Sequence, residues 1–157
     1  MDNLEEYCTC LFHTVQIVLC IILCFESYFT LQKMIGENVR EVMGSMKLNG
    51  VDTQIAIANF SEIRRLCITQ NGKFSLLLKS TSSPAMTSYE LPVVDVQTIF
   101  GSSNIIFDAA AKHFIAELKL LDKPLLIYFG ILKITYAEVQ SLTNYIATNL
   151  LPGIDEF

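Results

Sequence analysis

The side chains able to do chemistry in this chain are its cysteines, its two histidines and one pair of serines. The five cysteines are Cys8, Cys10, Cys20, Cys24 and Cys67. Four of them lie in or beside an apolar stretch, where thiols usually act as small hydrophobic groups. Their spacings, Cys-x-Cys and Cys-x3-Cys, are unlike those of zinc sites. An odd, clustered set is also no disulfide framework, so we predict neither a metal site nor disulfides.

The remaining candidate groups do not form a catalytic arrangement. Cys67 shares a predicted strand face with Arg65, and a nearby cation can lower a thiol pKa, but no histidine accompanies them. His113 and Glu117 lie four residues apart on a predicted helix, fewer ligands than a metal needs, and are typical of a surface pair. The serines after Gly101 lack a G-x-S-x-G motif and are better explained as helix caps. We expect no enzyme activity and no cofactor.

Composition and charge narrow the class of partner. The chain has 157 residues, of which 11 are Lys or Arg and 16 are Asp or Glu, giving a net charge of -5. No basic stripe with interleaved aromatic residues is present, so nucleic acid is not an expected partner. Hydrophobic residues make up 52% of the chain and charged residues 17%, an apolar balance for a soluble domain, and the excess lies near the N-terminus.

The N-terminal segment is apolar and admits three interpretations. Residues 11–25 are nearly all apolar, but fifteen residues rise only about 22 Å as a helix, short of a hydrocarbon core of roughly 30 Å. Extending the segment to Leu31 would let it span. The acidic region before it is wrong for a signal peptide. This segment is therefore a membrane anchor, a helix buried against the body, or a stretch outside the working domain.

A second helix is predicted to follow the apolar segment. Its apolar residues recur at helical spacing, at Leu31, Met34, Ile35, Val39, Val42 and Met43. The character of the chain changes at Gly44-Ser45-Met46. We therefore divide the chain into an N-terminal helical extension at 1–45, including the alternative that Met46 is the true start, and a body at 46–157.

The body alternates between strand and helix patterns. Strands are predicted at about 51–60, 62–69, 73–80, 93–100 and 125–132, and helices at about 105–121 and 135–150. Thr135 and Glu138 have the spacing of a capping box, and the last strand is apolar enough to lie centrally with both faces covered. The order β-β-β-β-α-β-α predicts an α+β fold, a mostly antiparallel sheet or sandwich with two helices in the C-terminal half.

Asn71-Gly72 predicts a β-hairpin between the second and third of these strands. A three-residue loop with a type I turn and a bulge at a left-handed Gly72 gives the cleaner register, because it opposes Ile68 to Phe74 and Leu66 to Leu76. The predicted buried face then holds Leu66, Ile68, Phe74, Leu76 and Leu78. The other face mixes apolar and polar side chains and is the predicted partner interface, at Arg65, Cys67, Thr69, Lys73 and Leu77.

The order of these elements resembles that of a known family. The segments are "NGVDTQIAIANFS", "ITQNGKFSLLLKS", "VQTIFGSSNIIFDAAAKHFIAEL" and "KPLLIYFGILK", followed by a last helix. They resemble proteasome assembly chaperone 3 over roughly residues 48–151. The shared pieces are a GVPTQ-like opening at Gly50 to Gln54, a Phe60-Ser61 step, a TQxGK-like turn at Thr69 to Lys73, a break at Gly101, the Ala111-Lys112 pair and the apolar strand.

The resemblance implies a non-enzymatic chaperone of the cytosol or nucleus. Members of this family pair with a similar small protein, proteasome assembly chaperone 4, and the pair helps proteasome α-subunits to form a ring. The alternative from another class is a membrane-anchored adaptor, with residues 11–31 as the span and the body as a cytosolic binding head. An enzyme acting on a small molecule is disfavoured by the missing catalytic groups.

Overall fold

A computed structural model describes residues 39–83 and 93–155 of the chain. Six strands form one sheet, with the bounds β1 (Arg40–Leu48), β2 (Val51–Asn59), β3 (Arg64–Gln70), β4 (Leu76–Ser83), β5 (Val93–Phe100) and β6 (Leu125–Gly130). Their order across the sheet is β1-β2-β3-β6-β4-β5. β6 runs parallel to β3, whereas the other neighbouring strands are antiparallel. The predicted α+β class with a mostly antiparallel sheet is confirmed.

Three helices and one wide turn follow β5. They are α1 (Ile105–Glu117), α2 (Tyr136–Tyr145), a π-helical turn (Ile146–Leu150) and α3 (Pro152–Asp155). Asn104 caps α1, its side chain accepting from the N–H groups of Ile106 and Phe107. The predicted capping box of Thr135 and Glu138 is confirmed at the start of α2. Each cap satisfies N–H groups that the first helical turn cannot pair internally.

The first Asn-Gly pair, Asn49-Gly50, forms the tight turn of a hairpin between β1 and β2. Asn49 and Gly50 have φ angles of 52° and 78°, and Leu48 pairs directly with Val51. Two left-handed residues in a two-residue loop are typical of a type I′ turn, whose twist suits the flanking strands. β1 is therefore fixed beside β2 along its whole length.

β1 corrects the prediction of a helix in this part of the chain. The helical interpretation is wrong for Arg40 to Ser45, which lie in β1, while residues 31–38 are outside the described residues. Val39, Val42 and Met43 fit a helical period, but pairing with β2 outweighs this weak local preference. β1 also crosses the predicted boundary between residues 45 and 46.

The second Asn-Gly pair does not join neighbouring strands. Asn71 and Gly72 both have positive φ, at 57° and 63°, so the predicted type I turn with left-handed Gly72 alone is wrong. The predicted strand pairing is wrong as well, because β6 lies between β3 and β4. Ile68 pairs with Ile55 and Phe129 rather than with Phe74. Gly130 permits this insertion, since a Cβ there would lie 1.6 Å from the carbonyl oxygen of Lys73.

The face assignment was more accurate than the pairing. Leu66, Ile68, Leu76 and Leu78 are buried, as predicted, whereas Phe74 is 37% exposed. Phe74 lies in the connection between β3 and β4 and makes an edge contact with Tyr128, with ring centroids 5.9 Å apart. Alternation along each strand was therefore a reliable guide to burial, although the strands' partners were not those expected.

The helices pack on one face of the sheet and form the core with it. Phe114 of α1 is fully buried, and its ring lies 6.4 Å from that of Phe129 in β6. Phe107 lies 4.9 Å from the same ring. β6 is central, as predicted, with buried side chains on both faces. Within residues 39–83 and 93–155 no helix is long and apolar enough to cross a bilayer, and the predicted span at 11–31 lies outside these residues.

Candidate functional site

We call the side of the sheet that faces away from α1, α2 and α3 the second face. Strand alternation places Arg65, Cys67 and Thr69 of β3 there. The same pleat places Leu126 and Tyr128 of β6 on this side, because Cys67 pairs with Tyr128. Leu77 and Lys79 of β4 follow, since they pair with Tyr128 and Leu126. The second face is therefore assembled from strands that are distant in sequence.

An apolar row crosses the whole second face. Consecutive pairings join one residue from each of the six strands, in the order Met43, Ala56, Cys67, Tyr128, Leu77 and Phe100. Cross-strand neighbours of this kind contact one another on a pleated sheet. The two ends of the row are exposed, Met43 at 69% and Phe100 at 43%, whereas Tyr128 at its centre is only 7% exposed.

A row with charged residues runs beside the apolar row. Its members are Glu41, Ala58, Arg65, Leu126, Lys79 and Gln97. The guanidinium of Arg65 lies 3.3 Å from the carboxylate of Glu41 and 5.5 Å from the ring centroid of Phe60. The ion pair reaches across Ala58, whose small side chain leaves room for it. These contacts hold the charge of Arg65 in a fixed position beside the apolar row.

The titratable groups of the apolar row stay neutral near pH 7. Burial raises the pKa of Cys67 to about 11, the opposing effect of Arg65 being smaller, and Glu41 adds slightly to the rise. Burial likewise raises the pKa of Tyr128 well above its usual value. A protonated thiol is a poor nucleophile and metal ligand. Cys67 thus contributes apolar surface to the row, and the lowered thiol pKa considered from the sequence is not found.

The structure brings together four of the five predicted interface residues. Arg65, Cys67 and Thr69 lie in series on β3, and Leu77 lies on the same face but two strands away, beyond Tyr128. Lys73 is exposed in the connection between β3 and β4 rather than on a strand. Leu77 pairs with Tyr128 and Phe100, whereas the predicted hairpin register, which opposes Leu66 to Leu76, would have placed it opposite Arg65.

The sequence interpretation missed the other members of the apolar row. The sequence predicts that the apolar run holding Tyr128 is a central strand covered on both sides, and it predicts a helix around Met43. The useful signal was the composition of β6, "LLIYFG". A strand that is apolar on both faces needs a neighbour on each side, which places Tyr128 at the middle of the sheet.

The remaining candidate groups, on and around α1, lie among other side chains of the fold and form no catalytic or metal-binding arrangement. His113 contacts Tyr136 edge to face at 5.9 Å, and His113 and Glu117 line a groove of about 330 Å³ between α1 and α2. The Ser103 hydroxyl donates to Asp108 at 2.6 Å at the start of α1. In the described part of the chain, no three His, Cys, Asp or Glu side chains are grouped so that they could hold a metal.

Comparison with known proteins gives matches of two kinds, one to a family and the others to solved structures. The family described as proteasome assembly chaperone 3 matches residues 66–149. One solved structure with this fold is described as a novel chaperone complex for yeast 20S proteasome assembly. It is 14% identical to this chain, with a TM-score of 0.54, and the alignment covers 69% of this chain and 95% of that chain. A search of curated proteins found no match.

Proposed function

Because this chain belongs to the proteasome assembly chaperone 3 family, we propose that it is a non-enzymatic chaperone of the α-ring of the proteasome core particle. It acts as a heterodimer with a small chaperone of similar fold, like proteasome assembly chaperone 4, in the cytosol or nucleus. The shared fold with a chain of the yeast proteasome-assembly complex supports the assembly role.

The observation that carries the pairing is the apolar row of the second face. The helices α1, α2 and α3 cover the other side of the sheet. A layer on the second face therefore has to come from elsewhere in the protein or from a partner. A neutral apolar centre bordered by charged groups is the usual composition of a protein interface. The pair of Arg65 and Glu41 lies at the border of the row, where it can select a complementary partner and orient it.

The proteasome α-subunits are the second class of partner. Pairing through the second face leaves the helical side and the ends of the sheet available to an α-subunit. One end of the sheet carries several exposed apolar side chains, including Ile105 at 83% and Leu132 at 86%. Binding of the chaperone partner and binding of the α-subunit are therefore expected to be separable by substitution.

Met43→Glu tests the pairing with little risk to the fold. Met43 is exposed at one end of the apolar row, so a carboxylate there changes the interface more than the core. We expect the variant to fold normally and to lose most of its co-purification with the chaperone partner. Ile105→Glu is the matched control, because it makes the same kind of change at an exposed residue where a helix N-terminus favours a carboxylate.

Two results of this experiment would argue against the proposal. If Met43→Glu binds the partner as well as the parent chain does, the second face is not the pairing surface. If Ile105→Glu loses the partner equally, the loss reflects added negative charge rather than position. Fractionating cells that express the full chain or residues 39–157 separates this function from the membrane-anchored adaptor, for which membrane association would require the N-terminal residues.

A further inference from the structure

A cleft of about 600 Å³ lies on the helical side of the molecule, where β3 begins. Arg64 forms its floor. One wall is the end of α1 and the loop that follows it. The other wall is the π-helical turn and the start of α3. Lys119 and Asp122 line the first wall, and Ala147, Leu151 and Pro152 line the second. The cleft therefore combines a buried cation with an apolar wall.

Arg64 and Arg65 are neighbours in sequence with opposite surroundings. Alternation along β3 sends Arg65 to the second face and Arg64 to the helical side. Arg64 is only 8% exposed, and its backbone N–H donates to Pro124 at 2.9 Å. A charged side chain is rarely buried this far unless a partner compensates it.

The guanidinium of Arg64 is incompletely paired. Its Nη1 donates to Asp122, whereas its Nε is buried and has no acceptor within residues 39–83 and 93–155. Guanidinium has five N–H donors in a planar fork and binds carboxylates through two of them at once. Asp122 is 53% exposed, so it is a partner that another carboxylate can displace.

The opposite wall is shaped by the π-helical turn. Leu151 donates to the carbonyl of Ile146 at 3.0 Å, five residues back. Such wide turns inside helices are rare and are often found at functional sites. Here the turn presents the small, exposed side chain of Ala147 to the cleft, which keeps it open, and places Leu151 and Pro152 beside it.

We propose that this cleft binds the C-terminal residue of a peptide whose last side chain is apolar. The terminal carboxylate pairs with Arg64 in place of Asp122, and the side chain lies against Leu151 and Pro152. Lys119 adds a second cation at the rim. Glu117 and Asp122 also line the cleft, and their negative charge disfavours a dianion such as phosphate. The ligand class is therefore a monoanion with an apolar body.

The cleft is separate from the pairing surface. It lies on the helical side of the sheet, so a partner on the second face would leave it open. This inference does not rest on the proposed chaperone function, and each can fail without the other.

The test uses the full-length chain and a dye-labelled tetrapeptide, Gly-Gly-Ala-Leu, ending in either a free carboxylate or an amide. Fluorescence polarisation measures the affinity of each. We expect the carboxylate form to bind at least roughly tenfold more tightly, because charge-assisted bonds to guanidinium are strong. N-acetyl-leucine, which has the same carboxylate without the preceding peptide, should bind more weakly. Equal affinity of N-acetyl-leucine would overturn the assignment to a peptide end.

Substitutions on both sides of the cleft identify the site. Arg64→Gln should abolish the preference for carboxylate, and Asp122→Asn should strengthen peptide binding because it removes the competing anion. Arg65→Gln is the matched control, since it removes the neighbouring charge on the other face and should leave peptide affinity unchanged.

Ala147→Leu keeps the test decisive if Arg64→Gln does not fold. It fills the cleft from an exposed position without touching Arg64, and it should weaken peptide binding roughly tenfold or more by steric exclusion. Equal binding of the carboxylate and amide peptides, or unchanged affinity in Ala147→Leu, would overturn the proposal.

Discussion

Cys67 is the residue through which alkaline pH should act on stability. Its pKa is about 11 in the folded chain against an ordinary value of 9.0, so between these values the unfolded state releases the proton first. The contribution of Cys67 to the free energy of unfolding is therefore fully present below about pH 9. It is lost as the pH rises towards 11, and the total loss is about 2–3 kcal/mol at most. Urea unfolding at pH 7, 9 and 10.5 measures the fall.

Cys67→Ala provides the control for this pH dependence. The variant lacks the thiol, so its stability should fall less steeply over the same range. The raised pKa of Tyr128 has the same sign and leaves a residual slope at the highest pH. If parent and variant lose stability in parallel, the titration of Cys67 is not coupled to folding.

Phe114 and His113 are adjacent residues that should differ sharply in their contribution to stability. Phe114 is fully buried against Phe129, so Phe114→Ala should destabilise the fold by about 3–5 kcal/mol. His113 is half-buried and contacts the exposed ring of Tyr136, so His113→Ala should cost well under about 1 kcal/mol. Chemical denaturation measures both changes, and equal costs would mean that α1 is rotated from the orientation described.

For single residues, the sequence predicts which side chains are buried, but it does not predict which side chains lie next to them. The alternation of Leu66 and Ile68 with polar neighbours is local, and it correctly indicated which side chains are buried. The pKa of Cys67 is raised mainly by burial, and Cys67 is paired with Tyr128, sixty-one positions further along the chain. No local pattern around Cys67 contains that information, because the contact exists only once β6 has paired with β3.

The two Asn-Gly pairs show what an element's sequence can determine. Both pairs adopt left-handed backbone angles, as their residue types favour. Only Asn49-Gly50 joins adjacent strands, because β6 inserts after the second turn. A turn sequence sets the local path of the chain, but the neighbour of each strand depends on burial across the whole sheet. The apolar β6 buries most of its side chains when it occupies the centre.

β1 should determine where the folded body can be cut. A fragment of residues 46–157 lacks Arg40 to Ser45, which pair with Gln54 to Asn59 of β2. It also loses Val42, which packs against the core. We expect it to be less stable than residues 39–157 by about 2–4 kcal/mol, from the lost apolar burial and edge hydrogen bonds.

Comparing the two fragments by urea unfolding tests the position of the boundary. Both can be purified in the same way, with the chaperone partner added to each if needed. Equal stability would show that the first part of β1 adds nothing measurable to the stability of the body, and that the body can begin at residue 46. A cooperative transition for the longer fragment alone would place the start of the body before β1.

For the whole molecule, the family was easier to predict than the surface that we propose for pairing. The family resemblance rested on the order and spacing of segments from Gly50 to the last helix, and the family match covers residues 66–149. The apolar row draws one residue from each strand, from Met43 to Phe100. Its continuity depends on the strand order, which neither composition nor the local hairpin signal contained.

Leu77→Glu is the most direct test of the apolar row as a pairing surface. Leu77 is half-buried between Tyr128 and Phe100, and Arg65 lies two strands away, beyond direct opposition to the new carboxylate. Lys79 lies on the same face two residues along the strand and offers only partial compensation. We expect a folding cost of about 1–3 kcal/mol, which a stable domain can tolerate.

The expected result is a folded chain that no longer co-purifies with its chaperone partner. Pull-down with that partner and, separately, with a proteasome α-subunit is the measurement. Ile105→Glu is the control for added charge in the pull-down with the chaperone partner alone, because Ile105 belongs to the surface proposed for the α-subunit. Undiminished binding of the partner would exclude the centre of the second face as the interface. Outright unfolding would mean that Leu77 supports the core from this side. Loss of the chaperone partner with retained α-subunit binding would show that two surfaces of one small sheet serve the two classes of partner.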